Sequence, residues 1–331
     1  MSALHNQVSP PVMSVRGLSK TYLSRVGFRT QKIRAVHDLS LDLRGGEVLA
    51  LVGESGSGKS STARLIMGLE APTEGEIQLA ELGIYSGRKR DAAFRARVQM
   101  IFQDPFGSFN PVHTLGYPIE RALLRHKLVN SRVESRARGI ALLESVGLIP
   151  GLEFFAKYPH QASGGQRQRA AIARALAVSP KIILADEPTS MLDVSVRMDI
   201  LELLQTLKQR QGISYLYITH DLASARVFAD RVMVMIGGMV VEAGPTSELM
   251  ERPAHPYTRA LLAAMPGASK QRRSGVETGQ RRRHASAPGS GCPFAAGCDD
   301  AISRCQSKIP GLYQIDAFHT VRCYFGGRIR N

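Results

Sequence analysis

The chain has 331 residues, of which 44% are hydrophobic and 21% charged, proportions of a globular protein with room for one α/β domain and an appendage. No stretch approaches the ~20 consecutive apolar residues of a bilayer-spanning helix, and the N-terminus MSALHNQVSPPVMSV has neither the charged nor the apolar region of a secretory signal, so a cytosolic protein is expected. The net charge of +15 would suit nucleic acid, but much of the excess sits in Lys270 to Arg273 and Arg281 to Arg283, a Gly/Ser/Pro-containing stretch without aromatic residues to stack on bases; it reads as a solvated linker or one attracted to an anionic membrane surface, and no nucleic-acid partner is expected.

Leu39, Leu41 and Leu43 alternate with Ser40 and Asp42, the pattern of a half-buried strand, and Arg44-Gly45-Gly46 turns the chain into Glu47 to Val52, apolar on both faces as buried strands are. Gly53-Glu54-Ser55-Gly56-Ser57-Gly58-Lys59-Ser60 follows and satisfies G-x-x-x-x-G-K-[ST], with a helical run from Ser61 onward. Such a loop lets backbone N–H groups converge on phosphate oxygens beside a helix N-terminus, with Lys59 adding positive charge and the Ser60 hydroxyl free to ligate Mg²⁺.

A further apolar run covers Val98 to Phe102, after which the strand signal disappears between Asp104 and Gln161 and segments such as Arg132 to Val146 take helical spacing, predicting a helical insertion. Ser163-Gly164-Gly165-Gln166 precedes another helical run, Arg167 to Ala177; two glycines after a serine at a helix start make an anion site, where a plain N-cap would need the serine alone. Lys181 to Glu187 is a strand ending in two carboxylates, placed for Asp186 to hold magnesium and Glu187 to polarise water. Ile213 to Ile218 is the next buried strand, and Val232 to Ile236 and Met239 to Glu242 flank Gly237-Gly238 as a hairpin. Strands alternating with helices indicate an α/β fold with a largely parallel central sheet.

These motifs, in this order, resemble those of the ABC ATPases. The resemblance runs from about Val12 to about Leu262 and implies a P-loop NTPase core whose Gly53, Ser55, Gly56, Gly58, Lys59, Ser60 and Ser61 bind ATP, with Tyr22 stacked on adenine. It implies that Gln103 touches Mg²⁺ and the attacking water, that Ser60 and Asp186 also serve the magnesium, and that Glu187 and His220 complete the catalytic set. Ser163, Gly164, Gly165 and Gln166 would grip ATP bound to the opposite subunit, and Asp193 would cross the dimer as the D-loop residue. Ala162 stands where the family usually has Leu, Met191 replaces a common Ala and Ser61 a frequent Thr, none of which removes a catalytic group.

Phe102 to Pro111, Tyr158 to Gln161 and His255-Pro256-Tyr257-Thr258-Arg259-Ala260-Leu261-Leu262 look like the oligopeptide/dipeptide/nickel importer ATPases. That resemblance implies peptide import, two transmembrane permease subunits, a second ATPase subunit that is a paralogue or another copy, an extracytoplasmic solute-binding protein, and a seat on the cytoplasmic face of the cell membrane. The alternatives are import of nickel or another small solute, and a non-transport ABC ATPase of a soluble complex, such as a carbon-phosphorus lyase accessory or a DNA repair or translation factor. The latter usually carry two cassettes or a long coiled coil, where this chain has one cassette and no sustained heptads.

Cys292, Cys298, Cys305 and Cys323 fall at metal-ligand-like spacing in a short segment with little apolar mass. The spacing resembles the importer ATPases' C-terminal extension, where a [4Fe-4S] cluster can be bound. Zinc fits four thiolates equally, unliganded thiols stay open, and disulfides are disfavoured in the cytosol. The expected organisation is a tail at 1–11, an ATPase domain at 12–250 with a helical subdomain at about 104–164, and an extension at 251–331 holding the Cys segment and a basic linker at about 267–291.

Overall fold

A computed structural model describes residues 10–26, 29–265 and 291–325; the expected basic linker, apart from Gly291, lies outside them. The chain opens with two 16-residue antiparallel strands, β1 (Pro11–Val26) and β2 (Arg29–Arg44), then β3 (Val48–Val52), which runs through the glycine-rich loop into α1 (Lys59–Ile66). β4 (Glu74–Leu79) and β5 (Gly83–Ser86) follow, and α2 (Ala92–Arg97) leads into β6 (Val98–Ile101). Three helices, α3 (Gly116–Arg125), α4 (Arg132–Ser145) and α5 (Gly151–Ala156), precede α6 (Gly164–Leu176). Next come β7 (Ile182–Asp186), α7 (Val194–Gln211), β8 (Ser214–Thr219), α8 (Leu222–Phe228), β9 (Arg231–Ile236), β10 (Met239–Pro245), α9 (Thr246–Glu251) and α10 (Pro256–Ala263). The extension adds α11 (Ser303–Ser307), β11 (Tyr313–Gln314) and β12 (Thr320–Val321).

The strands form two sheets. One, ordered β2-β1-β4-β5, is antiparallel; the other, ordered β11-β12-β10-β9-β3-β8-β7-β6, is parallel from β9 to β6 and antiparallel beyond. The alternating run Leu39–Leu43 belongs to the antiparallel sheet, where its leucines are buried and Ser40 and Asp42 are not. The parallel strands are apolar on both faces because both faces are covered. Leu49, Leu51, Leu184, Leu216 and Ile218 pack with Met13, Val15, Leu41, Leu43 and α1. Their alternates Val48, Ala50, Val52, Ile183, Tyr215 and Tyr217 pack with α6 and α7 on the other side.

α6 approaches the sheet closely because its buried positions are mostly alanine: Ala170, Ala171, Ala173 and Ala175. In the inserted helices Phe155 fills the space left by two glycines, since a Cβ on Gly116 would meet its ring at 2.5 Å and one on Gly139 at 2.8 Å. α4 is started by Ser131, whose hydroxyl accepts from Glu134 N at 3.1 Å. Among the described residues no helix is long and apolar enough to cross a membrane.

Candidate nucleotide site and a four-cysteine cavity

The loop after β3 is shaped by backbone crowding. A Cβ on Gly53 would stand 2.1 Å from Met235 O, and one on Gly58, whose φ is 104°, would stand 2.2 Å from Ala35 O. Only glycine fits both positions, and Gly56 at φ 80° completes the left-handed bends that turn amides inward. Lys59 is buried and donates from Nζ to Gly53 O at 2.7 Å and Glu54 O at 2.9 Å, which fixes the ammonium over the loop. Burial lowers its pKa, opposed by the charges of Glu187, Asp186 and Glu54. Ser60 Oγ donates to Asp186 Oδ1 at 2.9 Å, joining the loop to the end of β7; burial raises the Asp186 pKa while the Ser60 bond lowers it. Two hard oxygen donors side by side suit Mg²⁺.

Glu187 follows β7 in a left-handed conformation, φ 44°, held by its N–H donating to Ile218 O at 2.8 Å. Two side chains meet its Oε2: Gln103 Nε2 donates at 3.1 Å from the end of β6, and His220 Nδ1 lies at 3.1 Å from the end of β8. Parallel neighbouring strands deliver their C-terminal ends to one place, which is why residues 84 and 33 positions from Glu187 converge on it. His220 remains half-exposed while Glu187 is 11% exposed, so the carboxylate is sheltered behind the imidazole.

Ser163 caps α6: its Oγ accepts from Gln166 N at 3.3 Å and its N–H donates to Gln166 Oε1 at 3.0 Å, a reciprocal capping box. Gly165 is close-packed, since a Cβ there would meet Val196 Cγ1 at 2.7 Å, and Gly164 faces Leu192 at 3.4 Å in the same sense. This turn therefore abuts the segment carrying Asp193, which is exposed at the start of α7 and whose carbonyl accepts from Arg197 N. Tyr22 lies on β1 with its hydroxyl bonded to the Glu70 carboxylate and beside Ser61, and Lys20 Nζ stands 5.0 Å from its ring. Thus Lys59, Ser60, Asp186, Glu187, Gln103 and His220 share one linked group, Tyr22 and Ser61 form a neighbouring pair, and Ser163 to Gln166 and Asp193 form a separate surface.

Some contacts of these segments had no signal in the sequence. Arg197 reaches from α7 to Asp221 at 3.9 Å and donates to Leu192 O at 3.3 Å, joining the Asp193 segment to the residue after His220. Tyr257, in the first turn of α10, accepts from Glu54 N at 3.2 Å, so the extension touches the phosphate loop directly. Phe294 lies 5.3 Å from the Tyr257 ring, and Glu54 to Ser57, Tyr257, Pro293, Phe294 and Gly297 line one shared cleft.

Beyond that cleft, all four cysteines line a single cavity with His255, Pro256, Phe294, Pro310 and Tyr324. None is in a disulfide. Burial pushes the thiols of Cys292 and Cys323 up and that of Cys298 to about 11. Against that push, the N–H of Phe294, Asp300 and Phe325 each hydrogen-bonds the sulfur two residues earlier, which favours thiolate. A cavity lined by four cysteines, three buried and Cys298 half-buried, that also aims amides at three of the sulfurs fits a sulfur-ligated metal or cluster. Another close group, Glu248, Asp316 and His319 with ligand atoms within 4.8 Å, is accounted for by structure. Fully buried Glu242 accepts from Ala254 N at 2.7 Å, His255 N at 2.9 Å and the His319 ring at 2.8 Å, and Asp316 accepts from Phe318 N and His319 N, pinning the extension to β10.

Comparison with known proteins agrees with this geometry. Residues 36–190 match the ABC transporter family, and residues 241–305 match the oligopeptide/dipeptide transporter C-terminal region. The chain is 37% identical to the dipeptide transport ATP-binding protein DppF of Haemophilus influenzae over 95% of this chain and 96% of that protein. It is 40% identical to the di/tripeptide transport ATP-binding protein DppF of Pseudomonas aeruginosa, over 92% and 95%, and 47% identical to the oligopeptide transport ATP-binding protein OppF of Bacillus subtilis, over 71% and 77%. Among solved structures, the ATP-binding cassette MJ0796 in a dimeric post-hydrolysis state bound to ADP and Pi superposes with a TM-score of 0.61 at 32% identity, covering 71% of this chain and 98% of that one. The chain belongs to the ATP-hydrolysing subunits of the ABC transporter family, in the group that carries the oligopeptide/dipeptide transporter C-terminal region.

Proposed function

We propose that this chain is one of two ATPase subunits that power a di- or oligopeptide importer from the cytoplasmic face of the membrane. The observation that carries the mechanism is the meeting of Gln103 and His220 on Glu187 Oε2, next to the Ser60–Asp186 bond. The loop amides and Lys59 hold the phosphates of the substrate ATP, and the Tyr22 ring takes the adenine. Mg²⁺, when bound, would be held by Ser60, Asp186 and Gln103 and would neutralise phosphate charge. Glu187 accepts a hydrogen bond from the attacking water and orients it, while His220 and Gln103 fix the carboxylate and then engage the terminal phosphate and the water. Most of the acceleration comes from positioning and charge rather than covalent chemistry.

The turn from Ser163 to Gln166 has Ser163 exposed and its glycines half-buried, spends the N–H groups of Ser163 and Gln166 in the capping box, and is joined to the linked catalytic group by no hydrogen bond or ion pair among the described residues. We assign it to the ATP of the opposite subunit, with Asp193 beside it at the dimer boundary. Closure of two subunits on two ATP molecules is then the power step delivered to two permease chains, which receive peptide from an extracytoplasmic binding protein. In the extension, Cys292, Cys298, Cys305 and Cys323 hold a [4Fe-4S] cluster, with zinc as the competing occupant; the group would tie the ends of a segment whose own apolar core, among the described residues, is Cys292, Ala295 and Cys305 with Phe294 and Tyr324.

The test is affinity purification through this chain after co-expression with its neighbouring permeases and partner ATPase. Stable co-purification of the permeases, with hydrolysis abolished by Glu187→Gln and ATP retained in that variant, is expected. A chain that elutes without permeases and hydrolyses ATP unaided contradicts the transporter reading.

A further inference from the structure

His255 occupies the N-cap of α10 and is 1% exposed. Its Nδ1 accepts from Tyr257 N at 3.0 Å. An imidazole nitrogen that accepts a hydrogen bond carries no proton, so in the neutral ring the proton sits on Nε2, on the ring's other edge. Among the described residues that Nε2 has no hydrogen-bond partner. A buried N–H left unpaired is costly, so a site that keeps one ordinarily supplies an acceptor. His255 lines the cavity with all four cysteines; of the oxygens on that lining, the Pro310 carbonyl already accepts from Arg322 and the Tyr324 hydroxyl donates to Lys308 O, which leaves the sulfurs as the acceptors a bound group would bring near.

We propose that His255 donates from Nε2–H to a sulfur of the group held by the four cysteines, and so sets how readily that group is reduced. The inference rests on the reading of the cavity as a cluster site. The other donors to the sulfurs among the described residues are backbone amides, at Phe294, Ala295, Asp300 and Phe325. His255 is thus a side-chain donor to the cavity that a substitution can remove. N–H donors stabilise the extra negative charge of a reduced cluster and raise its potential. Because Tyr257 OH accepts from Glu54 N, the same helix turn that presents this donor also touches the phosphate loop.

The experiment uses the full-length chain, purified without oxygen and reconstituted with iron and sulfide. His255→Asn can keep the cap to Tyr257 N and loses the donor at the Nε2 position; His255→Gln keeps a donor that reaches there. The wild type and both variants are expected to hold equal iron and sulfide, with the midpoint potential moving negative in His255→Asn and returning toward wild type in His255→Gln. Unchanged potential in His255→Asn, with iron retained, overturns the role of His255 and leaves the cluster reading standing. Wild-type protein that takes up zinc, or neither iron nor sulfide, overturns the cluster reading and this inference with it. A second measurement needs no substitution: in reduced wild-type protein labelled with ¹⁵N-histidine, electron-nuclear double resonance should detect one histidine nitrogen coupled to the cluster, and its absence rejects the hydrogen bond.

Discussion

The phosphate loop and the cysteine cavity lie side by side and are built in opposite ways. At the loop every polar group of the linked set has a protein partner: Lys59 has carbonyls, Ser60 has Asp186, and Glu187 has Gln103 and His220. That set is preorganised by the parallel sheet, and in the loop itself Ser57 Oγ is the buried side-chain atom left without a partner among the described residues. In the cavity, burial pushes thiols toward the neutral form, amides push the other way, and His255 keeps an unpaired N–H, so the arrangement gains most when something occupies it. Substitutions at the loop should therefore act on turnover, and substitutions at the cavity on stability.

The sharpest break is Glu187→Gln, which removes the carboxylate we propose orients the water but preserves volume; steady-state turnover should fall by about 100-fold or more, with ATP binding and melting temperature nearly unchanged. Next is Cys305→Ser, which should abolish iron binding and lower the melting temperature of the extension, read by metal analysis and calorimetry, while ATP binding persists. An equal loss of ATP binding in that variant would mean the two regions are one unit. Gly53→Ala tests the crowding against Met235 O and should cost more than about 2 kcal/mol in stability, a loop change that, like one at Gly58, acts through the fold.

The smallest effect is a pH dependence of the extension. The bond to buried Glu242 raises the His319 pKa, with burial opposing it. A histidine whose folded pKa is raised gives stability fully present below its unfolded pKa of about 6.5 and lost as pH rises through the folded value. Protection from hydrogen exchange at residues 313–323, corrected for the intrinsic pH dependence of exchange, should thus fall as pH rises above 6.5, and His319→Gln should remove that fall.

The sequence made the two sites unequally legible. Strands β3, β6, β7 and β8 stood out because both faces are covered and their residues are apolar throughout. β1 did not, because one ribbon carries Met13 and Val15 inward and Arg16 and Lys20 outward through register shifts that break the alternation. The residues of the phosphate loop are contiguous, so their spacing already implied the cradle. The Arg197–Asp221 link and the Tyr257–Glu54 bond join elements far apart in sequence and left no periodic trace. For the cavity, the four cysteines were visible as a spacing, but His255 was not: only folding brings it to the lining beside them and shows that Nδ1 is already taken.

The most direct test of the account is ATP hydrolysis by the assembled complex in membranes, with and without peptide-loaded binding protein, for wild type and Glu187→Gln. The account predicts hydrolysis that rises with loaded binding protein and disappears in the variant. A variant that hydrolyses ATP at the wild-type rate would contradict the central claim that the carboxylate held by Gln103 and His220 is the group on which turnover depends.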